Sequence, residues 1–187
     1  AHDLGVVHGD LKPANVLLGV HGETVVVDWG LAKELGRTEP DAGGAPAPVG
    51  VGLTHDGAIL GTPGFMAPEQ AQGQSVDARA DVYALGAILH QVLSGEAPSG
   101  PTSLAALEPD LPRDLLAIVE KALAPSPARR YPTAFELAED LKRFQTGQLV
   151  AARRYSWLAR IARARGLRLA LAGAGAASLL AVLARAC

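Results

Sequence analysis

Two polar clusters open the chain: His8-Gly9-Asp10-Leu11-Lys12-Pro13-Ala14-Asn15, and then Asp28-Trp29-Gly30. Their residue types suit phosphoryl transfer, which asks little covalent chemistry of a protein. It needs a carboxylate to orient a hydroxyl and accept its proton, oxygen ligands for Mg²⁺, and cations around the phosphates. Asp10 fits the first role, and Lys12 can reach the transferring group from the same loop. Asn15 and Asp28 offer two hard oxygen donors of the kind Mg²⁺ takes. One Asp or Asn in a loop is usually a turn or cap residue. The reading therefore rests on whether the chain gathers all four.

The flanking sequence supplies the means. Val16-Leu17-Leu18 and Thr24-Val25-Val26-Val27 are short apolar or β-branched runs separated by Gly19-Val20-His21-Gly22, which predicts a hairpin with Asn15 and Asp28 at its ends. Residues 36–57 are rich in Gly, Ala and Pro without periodicity and read as a loop. From Ala78 to Leu93, Val82, Leu85, Ile88, Leu89 and Val92 recur at helical spacing, stopped by Gly95 with Pro98 beyond. A second helix is expected over Arg113–Leu123, with Leu115, Leu116, Ile118, Val119 and Leu123 facing inward. A third, Thr133–Phe144, begins with the capping-box pattern Thr133-x-x-Glu136 and turns Leu137, Leu141 and Phe144 to the core. The fold class is α+β, predominantly helical, with one small hairpin.

Seventeen basic against 19 acidic residues leave a net charge of −2, so bulk charge does not point to a nucleic-acid partner. The single cysteine, Cys187, excludes an internal disulfide and a Cys-based metal site. Ala1-His2-Asp3 opens with no secretory pattern and no Met, so a cytosolic body that begins mid-domain is expected. The tail differs from the rest. No acidic residue follows Asp140, residues 149–166 are Arg-rich with Tyr155 and Trp157, and residues 169–184 carry no charge between Arg168 and Arg185. A spanning helix wants about 20 apolar residues, and flanking arginines can snorkel to extend a shorter one. Residues 169–184 are therefore expected to cross a membrane, with the Arg-rich side cytoplasmic.

Further motifs follow in order: Gly61-Thr62-Pro63-Gly64-Phe65-Met66-Ala67-Pro68-Glu69, the Asp81-bearing run from Asp77 to Ile88, and Ala128-Arg129-Arg130-Tyr131. With the opening clusters they resemble the catalytic loop, metal-binding turn, activation-segment end and following buried helix of eukaryotic-type protein kinases, over roughly residues 1–145. The resemblance implies ATP and Mg²⁺ as cofactors and a protein Ser/Thr hydroxyl as acceptor. It implies that Asp10 orients that hydroxyl, Lys12 reaches the phosphate, and Thr62 bonds the Asp10–Lys12 pair. Asn15 and Asp28 would hold metal, Asp81 would hold the catalytic-loop backbone, His8 would support that loop, and Glu69 would pair with Arg130. Asp10-Leu11-Lys12-Pro13-Ala14-Asn15 resembles serine/threonine rather than tyrosine kinases. Asp28-Trp29-Gly30-Leu31-Ala32-Lys33 and Met66-Ala67-Pro68-Glu69-Gln70 look like bacterial members, which often carry a transmembrane helix after the kinase domain.

The departures carry expectations too. Gly9 stands where most protein kinases have the arginine that meets a phosphorylated activation loop. The stretch between Gly95 and Pro112 looks too short and Pro-rich for the usual substrate-docking helix. The family's Gly-rich loop, strand lysine and partner glutamate have no counterpart. The expected organisation is a kinase C-lobe without its N-lobe at 1–145, a basic juxtamembrane segment at 146–168 and a membrane helix at 169–184. That makes a single-pass protein of the inner or plasma membrane, its kinase part cytoplasmic, inactive alone and open to a separate chain supplying the N-lobe. An inert membrane-tethered docking module is the alternative. His8-Gly9-Asp10 also resembles aminoglycoside- and choline-kinase-type phosphotransferases, but these lack the Ala-Pro-Glu segment and its arginine partner.

Overall fold

The computed structural model describes residues 1–34, 64–99 and 104–155; the expected loop at 36–57, Thr62 and the stretch at 169–184 lie outside them. The hairpin pairs β2 (Val16–Leu18) with β3 (Thr24–Val26), in the register Val16↔Val26, Leu17↔Val25 and Leu18↔Thr24. Gly19 N–H bonds the Glu23 carbonyl at 2.8 Å to close its turn. A second two-stranded ladder, which no sequence pattern announces, pairs β1 (Val6–Val7) with β4 (Lys33–Glu34). The two ladders bracket the polar clusters, so residues 8–15 and 27–32 run between anchored ends.

The helices are α1 (Pro68–Ala71), α2 (Ala78–Ser94), α3 (Leu104–Leu107), α4 (Arg113–Ala122) and α5 (Ala134–Gln145). Helix α2 starts where the Asp77 carboxylate accepts the Arg79 N–H at 2.8 Å and stops at Gly95, whose φ of 80° is the left-handed conformation expected of a C-cap glycine. Helix α5 carries the expected capping box, with Thr133 and Glu136 exchanging bonds. Between Gly95 and Pro112 the chain still makes one helical turn, α3, because Leu104 packs against Leu116 and Val119.

The main core gathers Val82, Ile118, Ala122, Tyr131, Leu137 and Val150, with Leu141 and Phe144 partly buried against it. Helix α2 runs through this core on small residues, Ala80, Ala84, Gly86 and Ala87. A Cβ on Gly86 would lie 2.8 Å from the Ala122 Cβ, so the glycine sets how closely α2 meets α4. Val92, expected inside, is 74% exposed. It follows Asp81 on one side of α2 about three turns further along, beyond the reach of the loop Asp81 supports.

Past α5 the chain folds back and Asp140 fastens it. The Asp140 carboxylate is fully buried and accepts from Tyr131 Oη (2.8 Å), Ala151 N–H (2.6 Å), Ala152 N–H (2.8 Å) and Arg143 (3.2 Å). Burial by itself would raise its pKa, but these donors outweigh burial and hold it below the usual carboxylate value. Tyr131 is the converse case: burial, then the Asp140 bond and charge, push its hydroxyl far above the ordinary phenol range, so it stays a neutral donor. A folded pKa below the unfolded value of about 3.9 means Asp140 stabilises fully above that pH and loses its contribution as pH falls through the folded value. Asp140→Asn turns an amide NH₂ toward donors and is expected to cost about 1–3 kcal/mol. Urea melts at neutral and acid pH check both statements: the deficit should be largest at neutral pH and shrink in acid.

Candidate functional site

The loop entering the hairpin is pinned from behind. Asp81, in the first turns of α2, accepts the His8 N–H at Oδ2 (2.8 Å) and the Gly9 N–H at Oδ1 (2.9 Å). His8 is buried and links the two polar clusters: its Nε2 is 3.0 Å from the Val27 carbonyl, and its Nδ1 accepts the Asp10 N–H at 3.3 Å. A carbonyl can only accept and an N–H only donate, so those partners assign the proton to Nε2. Trp29 stacks obliquely on the His8 ring at 4.7 Å between centroids. The hairpin register does the rest: Val27 N–H bonds the Asn15 carbonyl at 3.0 Å, which brings Asp28 to the same end of the ladder as Asn15.

The chemistry-bearing side chains then meet in front of this frame. Lys12 Nζ lies 2.7 Å from Asp10 Oδ2, and the two side chains are 25% and 17% exposed, so the pair is ordered yet open to a substrate. Asn15 Nδ2 donates to the Asp10 carbonyl at 2.9 Å and reaches Asp10 Oδ2 at 3.5 Å. Those bonds turn the Asn15 amide oxygen away from Asp10 as an available acceptor. Asp28 takes φ 64°, the left-handed conformation that is uncommon outside glycine and that re-aims a side chain at a bend. One exposed carboxylate and one amide oxygen form a sparse donor set. It suits Mg²⁺ arriving with phosphate oxygens and water better than an all-protein cage. Among the described residues no cluster of three or more His, Cys, Asp or Glu is placed to hold a metal.

A cleft beside Asp10 is lined by Gly9, Phe65, Met66, Gln70 and Ala84. Glu69, next to Gln70 in α1, is held in a buried ion pair: Arg130 bonds both Glu69 oxygens, at 2.6 and 2.7 Å, with its guanidinium 4.9 Å from the Tyr83 ring. Burial, opposed by Arg130, raises the Tyr83 pKa.

The structure thus gathers Asp10, Lys12 and Asn15, sets Asp28 at the same hairpin end, and puts His8 and Asp81 behind them. Glu69 and Arg130 lie deeper, and Thr62 is outside the described residues. Two participants went unread in the sequence. His2 bridges Asp81 Oδ2 (3.0 Å) and the Ala134 N–H (3.2 Å) at the start of α5, and Gln70 bonds the Gly9 carbonyl at 2.8 Å. No local signal marks His2. Gln70 stood in a quoted motif without an assigned part.

Comparison with known proteins gives one consistent answer. The family described as "Protein kinase domain" matches residues 1–150. Serine/threonine-protein kinase PknB of Mycobacterium tuberculosis is 38% identical over 163 residues, covering 79% of this chain and 24% of that protein. A probable serine/threonine-protein kinase of Streptomyces coelicolor is 34% identical over 167 residues, covering 81% of this chain and 23% of its own. The crystal structure of the Mycobacterium tuberculosis PknI kinase domain superposes with a TM-score of 0.53 at 29% identity, covering 76% of this chain and 47% of that one. The chain therefore spans about a quarter of the length of the curated relatives it matches.

Proposed function

The chain belongs to the protein kinase domain family, and from that premise we propose that it is the C-lobe of a bacterial serine/threonine protein kinase, moving the terminal phosphoryl of Mg·ATP to protein Ser/Thr hydroxyls. The observation that carries the proposal is the Asp10–Lys12–Asn15 cluster with Asp28 at the same end of the hairpin. Asp10 orients the acceptor hydroxyl and takes its proton, and Lys12 offsets charge on the transferring group. Thr62 belongs to the same assignment by its place in the Gly61–Glu69 motif alone. Asn15 and Asp28 would hold Mg²⁺, which would supply positive charge to offset that of the phosphates.

The Gly-rich loop, lysine and glutamate that clamp ATP in this family have no counterpart in residues 1–187, so we expect the isolated 187-residue polypeptide to turn over negligibly. The hairpin presents Leu17 (52% exposed), Leu18 (79%) and Val20 (93%), an apolar face suited to cover by an N-lobe. The proposal extends to the tail. Residues 169–184 anchor the protein in a membrane, and the kinase part faces the cytoplasm beside the Arg-rich stretch. Among the described residues no helix is long and apolar enough to cross a membrane, and 169–184 lies outside them. The same exposed hairpin face favours a second reading, an inert membrane-tethered docking module.

The test titrates the 187-residue chain with Mg·ATP, with and without an added kinase N-lobe, and follows transfer to a Ser/Thr protein. Transfer that needs the added lobe and Mg²⁺, and that falls at least about 100-fold in Asp28→Ala, supports the kinase reading. A chain that melts cooperatively but neither binds Mg·ATP nor transfers phosphate in either condition leaves the docking reading in its place.

A further inference from the structure

Gln70 follows Glu69 in α1, and its side chain is buried. Its amide makes two bonds of opposite sense: Oε1 accepts the Ala67 N–H at 3.1 Å, and Nε2 donates to the Gly9 carbonyl at 2.8 Å. Both partners are backbone groups that can act in one sense only, so the orientation of the amide is determined. The first bond is a local cap of α1. The second spans 61 residues of sequence and lands on the peptide unit that joins Gly9 to Asp10.

That peptide needs holding. Gly9 has φ 80°, in a region glycine enters without a steric cost, and it carries no side chain to fix it. Its N–H is tied to Asp81 and its carbonyl to Gln70, so the residue is clamped on both sides. Rotation of the Gly9–Asp10 peptide would swing the Asp10 carboxylate directly. Gln70 also continues the chain from Phe65 and Met66, which line the cleft beside Asp10. It therefore connects α1 and the residues leading into it to the group that orients the acceptor hydroxyl.

We infer that Gln70 is a positioning residue for Asp10, locking the Gly9–Asp10 peptide and coupling the cleft wall to the catalytic loop through a neutral bridge that needs no phosphate. Its kinetic consequence rests on the phosphotransfer reading; its geometric claim does not. Two variants of the 187-residue chain test it. Gln70→Glu keeps an acceptor for the Ala67 N–H but can donate to the Gly9 carbonyl only when protonated. Gln70→Met keeps the length and loses both bonds.

The first readout is the Asp10 amide ¹⁵N resonance, which needs no activity. In Gln70→Glu its offset from the parent should titrate between about pH 4 and about pH 7 and close toward the acid end, while in Gln70→Met the offset should stay constant. The second readout is transfer with an N-lobe added. Both variants should lose about tenfold in kcat with KM for the protein acceptor within about twofold, and the Gln70→Glu deficit should narrow at low pH. An Asp10 resonance superimposable on the parent at every pH, or melting losses with unchanged kcat, overturns the inference and leaves Gln70 as a cap of α1. If the parent transfers no phosphate even with the lobe, the phosphotransfer reading fails while the resonance still decides the positioning claim.

Discussion

Arg130→Ala is expected to cost about 3–5 kcal/mol of folding stability and roughly 10 °C in Tm. The side chain spends all five of its N–H groups inside the protein. Nη1 donates to Glu69 Oε1 (2.6 Å) and the Arg79 carbonyl (2.9 Å), Nη2 to Glu69 Oε2 (2.7 Å) and the Pro125 carbonyl (3.0 Å), and Nε to the Ala124 carbonyl (2.7 Å). One guanidinium thus joins α1, the first turn of α2 and the loop after α4. Truncation strands the Glu69 carboxylate, whose side chain is 5% exposed, together with three carbonyls. Lysine offers three donors from a point rather than a fork, so Arg130→Lys should recover little of the loss. The ion pair itself is weak evidence of net stabilisation. Replacing both partners with methionine should therefore regain the part of the loss that comes from the stranded carboxylate, while the three carbonyls stay without their donor. Thermal and urea melts of the three variants decide the matter; an Arg130→Ala protein melting within about 2 °C of the parent would show that the pair contributes nothing measurable.

Local signals carried most of the fold and little of its wiring. Helices α2, α4 and α5 were readable to within a residue or so, because apolar period, Gly95 and the Thr133–Glu136 box all act within a turn or two of chain. The hairpin followed from two short apolar or β-branched runs and the glycine-bearing turn between them, and with it the meeting of Asn15 and Asp28 at one end. What could not be read depends on distant chain. The β1–β4 ladder uses two residues per strand, too few for any period. His2 takes its meaning from Asp81 and Ala134, 79 and 132 residues away. Val150 looked like part of a basic stretch, but Asp140 draws the following backbone inward and buries it beside Tyr131. One position on α2 was misjudged for a related reason. Val82, Leu85 and Leu89 pack in the core as their spacing implies, but Val92 is exposed, and the close approach to α4 selects glycine at Gly86.

Asp81→Asn is expected to cost about 2–4 kcal/mol and to loosen the loop at His8 and Gly9 before the rest of the domain. Three donors converge on this one carboxylate, which is 3% exposed: His8 N–H and His2 Nε2 at Oδ2, and Gly9 N–H at Oδ1. His2 is a donor here because its Nδ1 already accepts the Ala134 N–H. An asparagine has one acceptor oxygen for them. With the oxygen toward His8 and His2, the NH₂ confronts the Gly9 N–H; with the amide reversed, it confronts the other two. No rotamer satisfies the set, so the loop must shift or leave a donor unpaired. The shift would fall on the peptide units leading into Asp10, which gives the stability loss a second, local signature. Amide exchange measures it: protection at His8 and Gly9 should fall about tenfold further than at Ile118 and Val119 in the core of α4, which report global unfolding. Equal losses at all four amides would mean that Asp81 serves the whole domain and has no special hold on the loop.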